Sequence, residues 1–547
     1  MESMSYNNAS KAEYVQYIKY ELQELGLAAA TQAYEIKTTL ATRRGVNVYA
    51  SFSAPRASSF ETMVLCASWL SLSMQPGSLG SHNINMRGVA SIMALAGHIQ
   101  KSSFWARDVV FVISDGFLDG MLAFLDSYHA SRTPGITSDP LDLVSGGVIW
   151  TALCVDYPGH SFSDVGLYYE GTNARLPNQD LLNSVGVIST YTGGSSVLIY
   201  DHEIPRTETL AGTISTFPGR TLQAVAAGSY FAIARTIIRH LSFSALGRPS
   251  GLHGLFHQFR IDAVTIFAKP ADGPHGFYAL GKIVESSVRT MNNLLERLHA
   301  SFFFYLLTGP TTFIPIGKYL PSVVLIGIGM ELNGLHRWVS SGWKHHPEHG
   351  AVNRWTRQQR PVAVTCSIIA GTHIFGLLLF LAMTYIPSQI WASFPKLLLV
   401  SMSAAMNLPS IIGILHGPPS HAADKASISS VLHALTLCIA GTISCIISVL
   451  NFSFAACLVV LLGIPLSMIP RMTINSAGRI LGTIFFMMLM PVPILLSTGF
   501  VCEAQTIKTV LRLIWDWQVL ESWFLPSVFC IYYPLVVQGC LAIILNH

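Results

Sequence analysis

Charged residues are scarce in this sequence, and the scarcity is concentrated in its second half. Lys, Arg, Asp and Glu make up 62 of the 547 residues (33 plus 29), or 11%, against roughly 25% in soluble domains. Only 18 of the 62 follow residue 300. This composition excludes a disordered chain and an entirely soluble one. The net charge of +4 is too small and too scattered to indicate a nucleic-acid-binding protein.

Common catalytic signatures are also missing. The sequence contains no G-x-S-x-G elbow, no H-E-x-x-H motif, no P-loop and no G-x-G-x-x-G after a strand. Residues 344–349 (KHHPEH) have metal-binding side chains, but we interpret them as a solvated turn in a short loop. Asp156, His160 and Ser161 are too close in sequence to indicate a catalytic triad, which needs converging elements.

Cysteine use does not indicate a disulfide framework. Of nine cysteines, only Cys66 and Cys154 lie in the first 311 residues, both in predicted strands. The other seven lie in or beside apolar stretches, where we interpret them as small buried side chains. A bridge between Cys66 and Cys154 on neighbouring strands stays open.

Long apolar stretches occupy the charge-poor half. No Asp, Glu, Lys or Arg occurs in residues 361–395, 397–423, 426–470, 480–502 and 522–547. A spanning helix needs about 20 apolar residues. Dividing the longest stretch at Asn451 and adding the segment before the first stretch predicts about seven spans. They lie near residues 312–332, 362–385, 391–415, 428–450, 453–470, 480–501 and 524–545. We therefore predict a soluble domain over 1–311 and a membrane domain over 312–547.

The distribution of Lys and Arg in the short loops predicts the orientation of these spans. Eight basic residues, from Arg337 to Arg479, fall on one side, and three, Lys396, Lys508 and Arg512, on the other. The larger group predicts that the first loop and the C-terminus are cytosolic and that residues 1–311 are lumenal. The segment 503–521, with apolar residues among charges, is predicted to lie flat at the lumenal interface.

The start of the sequence does not explain how this domain is translocated. Residues 1–10 contain no apolar core typical of a signal peptide. We expect that an N-terminal anchor is missing from the sequence; in the alternative, the first span drives translocation. Asn8 begins an Asn-Ala-Ser triplet, so it is a candidate glycosylation site on the lumenal side.

The first 311 residues alternate between helical and extended patterns. Strands are predicted over 33–38, 46–52, 62–69, 108–114, 148–155, 165–169, 197–200 and 262–268. Helices are predicted over 11–25, 86–100, 120–128, 180–187, 221–240 and 276–307, with a loop over 241–260. This alternation predicts an α/β fold, with a mainly parallel mixed sheet and helices on both faces.

Several blocks in this order resemble a known family. They are residues 176–183 (LPNQDLLN), 251–256 (GLHGLF), 293–299 (NLLERLH), 301–307 (SFFFYLL) and the entry to the first span at 316–321. Together with the domain order, they resemble the anchor-attachment (GAA-type) subunits of glycosylphosphatidylinositol (GPI) transamidase. The resemblance extends over essentially the whole chain. It implies a lumenal domain similar to the M28 zinc aminopeptidases.

The zinc ligands of those peptidases are largely absent here. Residues 64–71 (VLCASWLS) match the first metal-binding block, but Ser68 and Leu70 replace its His and Asp. Residues 83–85 (NIN) stand where the bridging Asp is expected, and Asp115-Gly116 replaces two Glu. The resemblance therefore implies that the peptidase chemistry is lost and that no cofactor is needed. Asp156, Asp115 and His82 are weak candidates for a single metal; alternatively, Asp156 is a strand-end carboxylate hydrogen-bonded to a loop.

The resemblance implies a non-catalytic subunit that binds GPI lipid and assembles a transamidase complex in the endoplasmic reticulum membrane. Its expected partners are the other subunits, including a cysteine-protease-like catalytic subunit, and the precursor protein that receives the anchor. We identify no catalytic residue in this chain. The alternative is an active metal-dependent peptidase or amide-bond-forming subunit. A transporter is disfavoured because the spans contain few paired charges.

The last predicted span contains the candidate lipid contacts. Pro534, with Tyr533 and Tyr532, resembles a proline in the family's last span. A proline frees the carbonyl one turn earlier to accept a hydrogen bond; alternatively, it produces a packing kink without ligand contact. His373 and His433 also lie within predicted spans, either as functional groups or as neutral side chains hydrogen-bonded to a neighbouring helix.

Overall fold

The computed structural model describes residues 10–55, 60–72, 84–143, 146–201, 221–294, 303–346, 354–417, 425–494 and 503–546. The chain divides into two compact units. The first comprises Met1–Lys37 and Thr42–Ile316, and the second comprises Thr38–Ala41 and Gly317–His547.

Nine strands form one mixed sheet in the first unit. They are β1 (Ala28–Lys37), β2 (Thr42–Phe52), β3 (Glu61–Ser68), β4 (Asp108–Ser114), β5 (Ile136–Ser138), β6 (Val148–Asp156), β7 (Phe162–Tyr168), β8 (Ser196–Ile199) and β9 (Asp262–Pro270). Their spatial order is β5-β1-β2-β4-β3-β6-β9-β7-β8. The four central strands β4-β3-β6-β9 are parallel, and antiparallel pairs flank them on both sides. The predicted mixed sheet is confirmed.

Helices cover both faces of this sheet, as predicted. They are α1 (Lys11–Glu24), α2 (Met86–Gln100), α3 (Asp119–His129), α4 (Gln179–Tyr191), α5 (Thr221–Leu246), α6 (His253–Phe256) and α7 (Phe277–Asn292). Strand residues such as Leu65 and Phe111 join α1, α2, α4 and α7 in one apolar core. The alternate residues point to the other face, where α3 and α6 contact the sheet. Because the central strands are buried on both faces, their sequences are continuously apolar.

Two boundaries predicted for the first unit are wrong. The helix predicted over 276–307 ends at Asn292, and Tyr305–Leu307 is instead a strand, β10, paired with β11 (Phe313–Pro315). The loop predicted over 241–260 is partly helical. Helix α5 continues to Leu246, and Gly247 then adopts a positive φ of 63° that a side chain would disfavour.

The second unit is almost entirely helical. Its helices are α8 (Ile316–Ser340), α9 (Val362–Tyr385), α10 (Ser388–Ser393), α11 (Pro395–His416), α12 (Ile428–Leu450), α13 (Phe452–Met472), α14 (Ser476–Met488), α15 (Glu503–Leu520) and α16 (Phe524–Ile544). Among the described residues, five helices are long and apolar enough to cross a membrane: Val362–Tyr385, Lys396–His416, Ile428–Leu450, Phe452–Met472 and Phe524–Ile544. They coincide with five of the seven predicted spans.

The two remaining predicted spans stay predictions. Helix α8 has 25 residues but carries Lys318, Glu331 and Arg337, and it is not among the five apolar helices. For the span predicted over 480–501, the structure describes the 13-residue helix α14 and then residues up to 494.

A short hairpin corrects one interpretation of the sequence. Trp343–His346 forms strand β12 and pairs antiparallel with β13 (Arg354–Arg357). The first part of the KHHPEH stretch is therefore extended and paired, and is not part of a turn. Residues 347–349 lie outside the described residues.

Candidate functional site

The carboxyl ends of β4, β3 and β6 meet at one edge of the sheet. This is where parallel α/β sheets commonly bind ligands. Ser68 ends β3, Asp115 directly follows β4, and Asp156 ends β6. Because β3 lies between β4 and β6, the backbones of Asp115 and Asp156 are roughly 10 Å apart across the sheet. The structure thus brings the positions compared with zinc ligands to the same edge, which we call the strand-end edge.

Asn85 occupies the centre of the strand-end edge and is fully buried. Its amide nitrogen donates to the carbonyl oxygens of Ser68 (3.1 Å) and Val155 (2.9 Å). Its amide oxygen accepts from the backbone N–H groups of Gly88 (3.1 Å) and Tyr157 (2.7 Å). These four bonds use the full capacity of the amide and fasten α2 to β3 and β6. A carboxylate here has no proton to donate to the two carbonyls.

Asp156 is engaged by a loop of its own unit. Ser71 Oγ donates to Oδ1 (2.8 Å), and the backbone N–H of Leu72 donates to Oδ2 (2.5 Å). The side chain is 4% exposed. Burial raises the pKa of Asp156 to about 7, although both hydrogen bonds act in the opposite direction. The geometry is that of a strand-end carboxylate hydrogen-bonded to a loop.

The carboxylate of Asp115 also has partners, but they lie on α1 and β2 and not on the loop that binds Asp156. Lys11 Nζ on α1 lies 2.5 Å from Oδ1, and the backbone N–H of Val46 on β2 donates to Oδ2 (3.1 Å). The backbone N–H of Asp115 donates to Asn47 Oδ1 (3.0 Å). The residue borders an open groove of about 740 Å³ lined by α1, β1 and β2. Its carboxylate is therefore directed to α1 and β2.

The described residues at this edge do not fit a zinc peptidase centre. Among them, no group of three or more His, Cys, Asp and Glu is placed to hold a metal ion. Two zinc ions need more donor groups than two separately hydrogen-bonded carboxylates supply. His82, the third candidate ligand, lies outside the described residues, as does the glycosylation candidate Asn8.

A second group of titratable side chains lies at the opposite edge of the sheet. Glu170 follows β7, which runs antiparallel to β9, and is completely buried. His240 Nδ1 of α5 lies 3.0 Å from Glu170 Oε1, and Tyr200 Oη donates to the same oxygen. Burial opposes ionisation of Glu170. Nevertheless, the hydrogen bond and charge of His240, with the hydroxyls of Tyr200 and Ser250, hold its pKa below the usual value.

Two histidines of the loop mispredicted over 241–260 complete this group. His253 Nε2 lies 3.1 Å from the carbonyl oxygen of Glu170, and its Nδ1 lies 2.7 Å from Thr265 Oγ1. His257 Nε2 contacts the carbonyl oxygen of Ala263 (3.0 Å). Burial lowers the pKa of His253 strongly and that of His257 to about 4. Both side chains are therefore neutral structural groups. The sequence signal is the glycine-rich stretch 251–257 (GLHGLFH), which lies within the predicted loop.

The candidate lipid contacts lie inside the helical bundle of the second unit. Tyr532 is 5% exposed, Tyr533 is fully buried, and Pro534 is also buried. Each tyrosine hydroxyl donates to a backbone carbonyl of another helix or its C-terminal turn: Tyr532 to Leu489 (2.8 Å) and Tyr533 to Met406 (2.9 Å).

Pro534 leaves one backbone carbonyl of the last helix without its usual helical donor. It has no N–H to bond the carbonyl oxygen of Cys530, and residues Val528–Tyr532 form a wider π-helical turn. His373 Nδ1 on α9 lies 2.9 Å from that oxygen. The freed carbonyl therefore has a partner within the bundle.

Other polar groups of the bundle interior are paired with neighbouring helices. His433 Nε2 lies 2.8 Å from the carbonyl oxygen of Leu466. Gln538, fully buried, accepts from Thr436 Oγ1 (3.1 Å) and donates to Thr372 Oγ1 (2.9 Å). His373 and His433 thus form helix-to-helix hydrogen bonds, which was one of the two interpretations left open by the sequence.

These features define a class of protein. It combines a helical unit, in which five described helices are long and apolar enough to cross a membrane, with an α/β unit built on a nine-stranded mixed sheet whose strand-end edge is fastened by hydrogen bonds. A model of the family described as "Gaa1-like, GPI transamidase component" matches residues 44–540, most of the chain. The chain belongs to this family.

Two curated relatives are similar to somewhat more than half of the chain. The GPI transamidase component gaa1 of Schizosaccharomyces pombe is 30% identical over 319 residues, covering 58% of this chain and 50% of the relative. The component GAA1 of Saccharomyces cerevisiae is 30% identical over 324 residues, covering 59% and 46%. The chain spans about half the length of the curated relatives it matches.

Solved structures that resemble about half of this chain include a glutaminyl cyclase and an aminopeptidase. A glutaminyl cyclase of Fimbriiglobus ruber has a TM-score of 0.31 at 13% identity, covering 51% of this chain and 86% of its own. The LapA aminopeptidase of Legionella pneumophila has a TM-score of 0.32 at 12% identity, covering 52% and 66%. Likeness at this level assigns no activity to this chain.

Proposed function

We propose that this chain is a non-catalytic subunit of GPI transamidase in the endoplasmic reticulum membrane. The complex would replace the C-terminal signal of a precursor protein with a GPI lipid. The observation that carries the proposal is the family match over residues 44–540, which includes most of both units. Two curated relatives, each 30% identical over part of the chain, bear the names of transamidase components.

The non-catalytic role is supported by the strand-end edge. The side-chain amide of Asn85 forms four hydrogen bonds, all with backbone groups. Asp156 and Asp115 are held by separate partners. Asn85 has no hydrogen-bonding capacity left, and the two carboxylates are held by separate donors instead of converging on one metal-bound water molecule. The family resemblance implies that the reacting nucleophile belongs to a separate, cysteine-protease-like subunit.

The second unit is proposed to hold the GPI lipid and to contact the membrane helices of partner subunits. In the most apolar windows of Val362–Tyr385 and Lys396–His416, only 22% of the residues are buried inside the chain. These two helices thus leave much of their apolar surface for acyl chains or for partner helices. Pro534, Tyr533 and Tyr532 would contribute by setting the shape of the last helix beside α9.

The proposed orientation follows from the charges of the loops. Residues 1–311 would form the lumenal domain, residues 312–547 the membrane domain with about seven spans, and the C-terminus would be cytosolic. Eight Lys and Arg residues against three support this assignment. Asn8 would then be available for glycosylation.

Purification of the tagged full chain from endoplasmic reticulum membranes tests this proposal. We expect a cysteine-protease-like subunit and GPI lipid to copurify, and we expect cells whose only copy carries Asp156→Asn to retain anchored proteins at the surface. Asn183→Asp, on the exposed side of α4, is the matched control. The proposal is wrong if the chain binds stoichiometric zinc that Asp156→Ala removes together with anchoring.

A further inference from the structure

Two cysteines face each other in the centre of the sheet of the first unit. Cys66 on β3 and Cys154 on β6 are direct partners in the parallel register. Both side chains are completely buried. Their sulfur atoms lie 2.8 Å apart. This is the one place where two cysteines of the first 311 residues could meet, since these are the only two there.

The separation is shorter than an ordinary contact between unbonded atoms. Non-bonded heavy atoms pack best at roughly 3.5–4.0 Å, whereas a disulfide bond is about 2.05 Å long. Neighbouring strands lie about 4.8 Å apart, which is within the range of about 4.4–6.8 Å that disulfides require between Cα atoms. The backbone at this position therefore accepts a bridge with only a small approach of the two sulfur atoms.

Other uses of two adjacent thiols fit this position poorly. A reactive or metal-binding cysteine is a thiolate in a partly exposed, electropositive site. Here both sulfurs are inaccessible, and burial raises the pKa of the Cys66 thiol well above its usual value. Among the described residues, the pair also belongs to no group that could hold a metal. Neither a nucleophile nor a metal site is supported.

We propose that Cys66 and Cys154 are a site of covalent modification, oxidised to a disulfide that joins β3 to β6 in the mature protein. This inference rests on the proposed lumenal location, because disulfides persist in oxidising compartments. The bridge would lie directly behind the strand-end edge. Cys154 precedes Val155, and Cys66 is two residues from Ser68; the carbonyls of Val155 and Ser68 accept from Asn85. The bridge and Asn85 would fasten the same two strands.

The oxidant is a disulfide donor of the lumen, such as glutathione disulfide or an oxidised protein dithiol. One cysteine thiolate attacks the donor, forming a mixed disulfide and releasing one donor thiol. The second cysteine thiolate then attacks the sulfur of the first cysteine and releases the other donor thiol. Two electrons and two protons pass from the cysteines to the donor. Because both thiols are inaccessible in the folded sheet, the exchange takes place while the first unit folds.

Differential alkylation of the full chain in cells tests the bridge. Cells are lysed in acid and denaturant, free thiols are blocked with N-ethylmaleimide, and disulfides are reduced and labelled with iodoacetamide. Peptide mass spectrometry should find Cys66 and Cys154 almost entirely with the second label. Cys438 and Cys445, whose sulfurs reach backbone carbonyls on α8, should carry the first label. Finding Cys66 and Cys154 with the first label overturns the proposal.

A single-cysteine variant and a glycosylation site separate the possible failures. In Cys66→Ala, Cys154 should lose the second label or carry a small-molecule thiol; a retained bridge to another cysteine overturns the pairing. Lys101→Asn creates an Asn-Ser-Ser acceptor in an exposed turn after α2, and Lys101→Gln is its matched control. Free thiols in a glycosylated chain would disprove the bridge alone. Free thiols in an unglycosylated chain would disprove both the bridge and the lumenal location.

Discussion

Replacing Asn85 by Asp tests whether hydrogen bonds, and not metal ions, hold the strand-end edge together. The substitution preserves the size of the side chain and both accepted bonds, from Gly88 and Tyr157. It removes both donated bonds, so that a carboxylate oxygen faces the carbonyls of Ser68 and Val155 at about 3 Å. Each buried acceptor left unpaired costs about 1–3 kcal/mol. We therefore expect Asn85→Asp to lower the free energy of unfolding by roughly 2–6 kcal/mol at neutral pH.

The pH dependence of this loss gives a second, independent signature. A protonated Asp can donate one hydrogen bond and so restores one of the two lost contacts. The destabilisation by Asn85→Asp should therefore shrink as the pH falls from 7 to 5. Asn85→Ala, which has no titratable group, should lose a similar amount of stability but show no such recovery.

Pulse proteolysis of the full chain in urea, in lipid nanodiscs, measures these differences through cleavage of the first unit. Asn183→Asp, at an exposed position of α4, should change the stability by less than about 0.5 kcal/mol. Added zinc should not stabilise Asn85→Asp. A variant as stable as the original chain, or one that zinc stabilises, would refute the assignment of Asn85 as a purely structural replacement of a ligand.

Three further outcomes are expected. Burial raises the pKa of Asp156 from 3.8 to about 7, so its contribution to the free energy of unfolding is complete below about pH 4 and is lost as the pH rises through 7. Asp156→Asn should remove this loss of stability, measured as urea midpoints between pH 5 and 8. Burial lowers the pKa of His257 from 6.5 to about 4, so its contribution to the free energy of unfolding is complete above pH 6.5 and is lost as the pH falls towards 4. His257→Gln should make the stability depend less on pH in this acid range, and an unchanged dependence contradicts the argument. Pro534→Leu should reduce the copurification of GPI lipid several-fold while complex assembly, judged by recovered partner subunits, stays intact; unchanged lipid recovery would exclude Pro534 as a determinant of lipid binding.

The sequence was sufficient to predict the general fold because the central strands are buried on both faces. A continuous apolar run predicts the buried strand Asp108–Ser114, and apolar residues at helical spacing predict the amphipathic helix Lys11–Glu24. Short elements such as Ile136–Ser138 have three residues and no periodicity, so they could not be recognised. The over-long helix after residue 276 had the opposite cause: apolar residues continue past Asn292 and belong in part to a strand.

The candidate site was predictable in position but not in contacts. The sequence placed Asn85, Asp115 and Asp156 near the ends of predicted elements, and these elements do meet at one edge. The partners of Asn85, however, include residues 17, 70 and 72 positions away. Such contacts depend on strand order, which local patterns do not contain. The sequence showed that zinc ligands are absent from these positions, but it did not show the hydrogen bonds that are formed there.

Hydrogen bonds between helices also explain how a charge-poor membrane unit fixes its helices. An ionised side chain inside a bilayer is costly, whereas a neutral pair between helices costs little and still sets their register. Gln538 links the last helix to α9 and α12, and His373 links α9 to the π-helical turn made by Pro534. Gln538 and His373 therefore already have partners within the bundle. Under the proposed function, recognition of the GPI lipid by this unit would depend on the shape of its outward apolar faces, which Pro534 would set through the path of the last helix.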